Sequence, residues 1–309
     1  MKQIIFKITA FSFLILISIF FIFSLADGTT DAMYFKFTTP KQNAMIIGSS
    51  RAAQGLHPQE LNPVLQRDDI FNYAFQIPSS PYGEIYLESI KRKVSEQTIN
   101  GLFILEVNPW TTGYRKGVND EKEFIIEEGG FLENTKYVTM NPNIEYLYES
   151  YNGGYINILK DKTRKGAYQT FFVENNGWLH VTIESDLISK AERTAAKMKT
   201  YRNKLIGFNG MSEYRKASLV KTITFLKQYG KVYLVRIPVI EAMLEIENEL
   251  QSNFNDEMNK IAIENQVSYI NMMPENKHYD YTDGNHLDID SGAQFSIDLA
   301  EKIKTLQNQ

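Results

Sequence analysis

Short apolar runs recur along the chain, each closed by glycine, asparagine, proline or polar residues: 44–47, 71–75, 101–109, 231–237 and 267–272. Between the second and third, Tyr82, Ile85, Tyr86, Ile90 and Val94 return at the spacing of one helix face, which predicts a helix over 82–97. Further helices are expected over about 185–205, 212–229, 241–265 and 291–306, with Ser212 as a cap and Gly230 as a stop for the second of these. Strands that are apolar on both faces and alternate with helices are the pattern of a buried parallel sheet. The expected fold is therefore α/β, a three-layer α/β/α sandwich around a five-stranded parallel sheet.

The stretch 110–184 breaks this rhythm. It carries Gly113, Gly117, Gly129-Gly130, Gly153-Gly154 and Gly177 among many Tyr and Asn, and reads as a long insertion after the third strand. It is expected to pack beside or over the carboxyl ends of the strands. Both tryptophans, Trp110 and Trp178, fall at or inside it. Aromatic faces against sugar C–H surfaces would let this segment choose a glycan substrate. A place in the core is the other role open to Trp178.

At the amino end the pattern changes again. Lys2 and Lys7 precede a run without charge from Ile8 to Ala26. As a helix at about 1.5 Å per residue it spans roughly 29 Å, the hydrocarbon thickness of a bilayer. The positive flank predicts a cytoplasmic N-terminus, with everything after Ala26 outside. A cleaved signal competes with this anchor, because Ser24-Leu25-Ala26 offers small residues for a signal peptidase. The organisation expected is a transmembrane segment 1–26, a polar juxtamembrane linker 27–42, and a folded domain 43–309. The protein would sit in a bacterial cytoplasmic membrane as a single pass, its domain facing the periplasm or exterior, or be secreted if the signal is removed.

Composition narrows the chemistry. The formal net charge is −4, which supplies no bulk electrostatic grip on nucleic acid. Cysteine is absent, so disulfides, thiolate nucleophiles, iron–sulfur clusters and cysteine zinc sites are excluded. No metal or cofactor is implied. A calcium loop over Asp283–Asp290 fails on spacing, with Leu287 in the fifth position. GSSRAAQG lacks the lysine and spacing of a phosphate-binding loop.

The polar residues that punctuate the strands gather where ligands bind in such sheets, outside the strand carboxyl ends. Ser50 stands in the turn after the first strand, where a hydroxyl and its own N–H can face one cavity. A helix cap would use the same position. Asp283 and His286 lie three apart on a Gly/Asn loop, so one turn can fold the carboxylate onto the imidazole and leave a basic Nε2. A surface histidine beside a capping Asp is the plainer alternative. Asn108 ends a buried strand and could donate its amide to an oxyanion, or cap the turn before Pro109. Arg51 and Arg236 could meet an anionic sugar, or be ordinary strand-end charges.

Taken together these segments resemble the SGNH/GDSL hydrolase superfamily, a flavodoxin-like sandwich. Gly48-Ser49-Ser50 is similar to its nucleophile block, Asn72-Tyr73-Ala74 to its second, Glu106-Val107-Asn108 to its third, and Asp283-Gly284-Asn285-His286 to its Asp-x-x-His. The resemblance covers about 43–108 and 230–305 and leaves the insertion out. Ser49 stands for the family's Asp, Ala74 for Gly and Glu106 for Gly. It implies a catalytic Ser50–His286–Asp283 unit with an oxyanion hole from Ser50 N–H, Ala74 N–H and the Asn108 amide. The anchor and the long insertion are more like the branch that acylates extracellular polysaccharides, such as the alginate acetylation and teichoic-acid D-alanylation proteins. That branch implies an acylated glycan or acyl donor as substrate and a membrane-bound O-acyltransferase as partner, with no nucleic acid. Two other readings stay open. One is an inactive polysaccharide-binding or assembly scaffold of the same fold; the other, a nucleotide- or flavin-binding domain, would give Asp283 and His286 no task.

Overall fold

The computed structural model describes residues 1–76, 80–120, 127–163, 170–184 and 186–308. Parts of the insertion 110–184, and the first residue of the helix expected from 185, thus lie outside the described residues. The strands in chain order are β1 (Ala44–Ile47), β2 (Ile70–Asn72), β3 (Gly101–Glu106), β4 (Gly113–Arg115), β5 (Phe171–Val173), β6 (Leu179–Val181), β7 (Phe208–Met211), β8 (Gly230–Arg236) and β9 (Ser268–Asn271).

Five of them form one sheet in the order β2-β1-β3-β8-β9, and every pairing is parallel. Met45 lies opposite both Phe71 and Phe103, and Val235 lies opposite both Glu106 and Ile270. Successive residues of a strand point to opposite faces, and both faces are apolar. Met45, Ile47, Phe103, Leu105, Val232 and Leu234 pack on helices Glu84–Lys93, Glu213–Leu226 and Phe254–Glu264. Ala44, Ile46, Leu102, Ile104, Tyr233 and Val235 pack on helices Ser50–Gly55, Pro58–Val64 and Ile289–Gln307. The result is a three-layer α/β/α fold.

The boundaries moved where side chains compete with regular pairing. β2 stops at Asn72 and does not run to Phe75, because the Asn72 carboxamide takes over local backbone groups. Its Oδ1 accepts the Ala74 N–H at 3.1 Å, and its Nδ2 donates to the Ala52 and Leu56 carbonyls, each at 2.9 Å. The single helix expected over 241–265 is two, Glu241–Leu250 and Phe254–Glu264, broken where Gln251 turns to an extended backbone at φ −155°. Ser212 caps its helix as expected, but that helix ends at Leu226 and Gly230 already belongs to β8.

The amino-terminal helix spans Lys2–Phe23, is long and apolar enough to cross a bilayer, and leaves most of its apolar side chains exposed until its last residue, Phe23, which is buried. It fits a signal or anchor segment. The segment after it, expected as a polar juxtamembrane linker over 27–42, packs on the domain. Tyr34 and Phe37, in a short 3-10 turn, are fully buried, and Phe37 stacks between Phe75 and Tyr146. Asp31 accepts the Met33 and Tyr34 N–H groups and the Tyr146 hydroxyl. Lys93, itself buried, donates to Thr39 O, Thr39 Oγ1 and Val138 O. The folded unit begins within the former linker because its aromatics have core partners.

Strands β5 and β6 pair as an antiparallel hairpin, and its turn reaches the carboxyl end of β2, where Asn72 N–H donates to Asn176 O at 2.8 Å. Strand β4 pairs with β7, clasping the first residues of the insertion to the segment between helices Leu187–Ile206 and Glu213–Leu226.

Candidate functional site

Strand β1 ends at Ile47, and the chain turns through Gly48-Ser49 into helix Ser50–Gly55. Ser49 caps that helix, its Oγ accepting Arg51 N–H at 3.3 Å, while its own N–H donates to Glu106 Oε2 at 2.9 Å. The turn is thereby tied to the end of β3. Ser50, half-buried, places Oγ 2.8 Å from His286 Nε2.

The histidine arrives on the loop beyond β9, folded by its own aspartate. Asp283 Oδ1 accepts the N–H groups of Asn285 and His286, both at 3.0 Å. Gly284, between them, has φ +78°, a conformation that side chains rarely adopt. The imidazole Nδ1 then lies 3.1 and 3.0 Å from the two Asp283 oxygens. A carboxylate on Nδ1 selects the tautomer with the proton there, which leaves Nε2 as an acceptor facing Ser50. The Asn285 amide, 3.2 Å from the same Nε2, favours the same tautomer.

Burial alone would raise the Asp283 carboxyl. The hydrogen bond and charge of His286, with Lys197 at 2.9 Å, outweigh it and hold the group well below the usual carboxylate range. A depressed folded-state pKa adds stability that is present above the unfolded value of about 3.9 and lost as pH falls below it. The melting temperature of the protein is thus expected to fall more steeply than that of Asp283→Asn when the pH is lowered through this range.

Of the other expected oxyanion donors, Ala74 N–H is already engaged and the Asn108 amide is engaged through one of its two hydrogens. Ala74 N–H belongs to the Asn72 turn described above. The Asn108 amide donates to Glu106 Oε1, and Asn108 Oδ1 caps the next helix by accepting Trp110 and Thr111 N–H at 2.9 and 3.1 Å. Glu106, where the resemblance implied glycine, fills this space with a fully buried carboxylate that holds both Ser49 N–H and the Asn108 amide. Among the described residues, no hydrogen-bond acceptor occupies Ser50 N–H.

Arg51 and Arg236 do not reach toward a ligand, which corrects their expected contact with an anionic sugar. Both are buried, and both pair with the interior Glu247, at 2.6 and 2.8 Å. Arg51 also grips Asn285 Oδ1 from Nε and Nη2 at 3.1 and 2.7 Å, which fixes the residue beside His286. Burial disfavours its charge, yet Glu247 more than compensates and raises the Arg51 pKa. Breaking a buried ion pair costs about 3–5 kcal/mol because a charge is left uncompensated. Glu247→Ala is expected to lose at least that much in chemical denaturation.

Neither tryptophan offers a face to a sugar. Trp178 is 4% exposed, its ring 4.1 Å from that of His57, and its Nε1 donates to Gln54 O at 2.7 Å. Trp110 is 7% exposed against Tyr201 and Phe208, with Lys204 over its ring. Each packs inside because the insertion needs its own apolar anchors.

The hollow beside Asp283 has a volume of about 570 Å³ and is otherwise lined by one face of helix Leu187–Ile206, with Lys197, Tyr201 and Lys204 prominent. Among the described residues no cluster of acidic and histidine side chains could hold a metal ion. Sequence reading missed Lys197 and Glu247, and named Glu106 and Asn285 only as parts of motifs, without the roles the fold gives them. No family model matches the chain, and no curated protein matches it either.

Proposed function

We propose that this protein is a serine-dependent acyl-ester hydrolase or O-acyltransferase of the SGNH type, anchored by its amino-terminal helix with the domain outside the cytoplasmic membrane. The observation that carries the reading is the continuous hydrogen-bonded line from Ser50 Oγ through His286 to Asp283, with spacings of 2.8 and 3.0 Å. In it, Nε2 takes the hydroxyl proton as Oγ attacks an ester carbonyl, and the Asp283 carboxylate stabilises the imidazolium that forms. Ser50 N–H donates to the developing oxyanion. The tetrahedral species collapses to an acyl-Ser50, the alcohol leaves with the proton from His286, and water or a sugar hydroxyl then accepts the acyl group. An acylated surface glycan as substrate, and a membrane-bound acyltransferase as partner, follow from the resemblance and the anchor.

A second reading, an inactive scaffold of the same fold, draws support from the engaged Ala74 N–H and the bond of the Asn108 amide to Glu106. A fluorophosphonate that captures activated serines separates the two. The enzyme reading expects one adduct, on the peptide containing Ser50. No adduct, together with no turnover of an activated acetyl ester, supports the scaffold.

A further inference from the structure

The helix Lys2–Phe23 does not end in a tether. Phe23 is buried, its ring 5.2 Å from that of Tyr155 in helix Tyr155–Thr163. Gly28 O accepts Val173 N–H from β5 at 2.8 Å, and Asp31 binds the hydroxyl of Tyr146 in helix Ile144–Glu149. Tyr155 Oη in turn donates to Leu147 O of that helix at 3.1 Å. The end of the apolar helix therefore packs on helix Tyr155–Thr163, and the segment that follows it is hydrogen-bonded to helix Ile144–Glu149.

Those two helices bury one side and leave apolar residues on the other. Tyr146, Leu147 and Ile158 are in the core, while Ile144, Tyr148, Tyr155 and Ile156 are exposed, Tyr148 to 75%. Ile144 and Tyr148 are four residues apart and share a helix face. Scattered exposed apolar residues need no explanation. This group differs in being continuous with the end of a bilayer-length helix, at the level where tyrosine is favoured, its ring among acyl chains and its hydroxyl among headgroups.

We propose that the face bearing Ile144, Tyr148, Tyr155 and Ile156 rests in the headgroup region of the bilayer that holds Lys2–Phe23, and fixes the orientation of the domain on it. The inference rests on the reading of Lys2–Phe23 as a membrane anchor and is independent of the chemistry at Ser50. Because the chain has no cysteine, single replacements report cleanly. The full-length protein would carry Tyr148→Cys or Ile156→Cys, labelled with an environment-sensitive fluorophore. It would be reconstituted in phosphatidylcholine/phosphatidylglycerol vesicles with and without nitroxide-bearing lipid. Ile99→Cys and Ile263→Cys, at exposed apolar positions elsewhere, are the references, and Leu16→Cys marks the bilayer interior.

Labels at 148 and 156 are expected to emit to the blue of those at 99 and 263 and to be quenched by the nitroxide lipid, less deeply than the label at 16. Quenching at 16 without quenching at 148 and 156 overturns the inference and leaves the anchor intact. No quenching at 16 removes the anchor and the inference with it. A blue shift at 148 that disappears on dilution of protein in lipid, without quenching, assigns the face to a second copy and also overturns it.

Discussion

Ser50→Ala is expected to lower the turnover of an activated acyl ester by about 10³–10⁶-fold and to abolish fluorophosphonate capture. The magnitude follows from the geometry. Ser50 Oγ is the atom that His286 Nε2 faces at 2.8 Å, and among the described residues no second hydroxyl is hydrogen-bonded to that nitrogen in its place. His286→Ala should cost a similar factor, and the double variant little more, because residues that act as one unit do not add. Ser50 is half-buried and its Oγ bonds no backbone group, so the melting temperature should barely move. That pairing of lost chemistry with kept stability separates a nucleophile from a helix cap. Undiminished turnover in Ser50→Ala would dispose of the acyl-serine mechanism.

A chain that begins at Asn43 is expected to fail to fold, whereas one that begins at Asp27 should give a cooperative melt. The shorter chain lacks Tyr34 and Phe37, both fully buried. Losing a buried aromatic ring costs about 3–5 kcal/mol, so the pair represents roughly 6–10 kcal/mol, against the roughly 5–15 kcal/mol that holds a domain together. It also lacks Lys36. That ammonium is fully buried, where desolvation pushes its pKa well below the ordinary lysine value, and it donates to Ala74 O beneath the candidate site. Near-ultraviolet circular dichroism and a thermal scan of the two chains would decide. A native-like melt from the shorter one would mean that the segment merely lies on the surface.

That segment shows where sequence patterns stop being informative. The five core strands were legible because each is a short apolar run that ends in a turn-forming or polar residue. Asp283 and His286 were legible because the bond between them is local, across one turn. DGTTDAMYFKFTTPKQ is mostly polar and has no period, so nothing in it announces that Tyr34 and Phe37 meet Tyr146 and Phe75 far along the chain. The same holds for Arg51, whose partner Glu247 lies on another helix, and for Lys197, one of several lysines on a helix with no buried residue. Local chemistry can be read from spacing; pairs made by the fold cannot. Trp178 is a milder case, since an aromatic ring suits both a sugar platform and a core, and only its neighbours decide.

The turn that carries Trp178 has a bearing on solubility. β2 is the outermost strand on its side of the sheet, and such a strand ordinarily presents bare amides on which another chain can assemble. Here the Asn72 amide is already taken by Asn176, and Gly177, at φ +81°, lies so close that a Cβ there would fall 2.3 Å from Asn72 O. Only glycine lets the backbone cover that edge so tightly. This part of the insertion therefore shields the β2 edge against strand-to-strand pairing at Asn72. The hairpin thus closes one of the two edges of the sheet, the one next to the turn that carries Ser50.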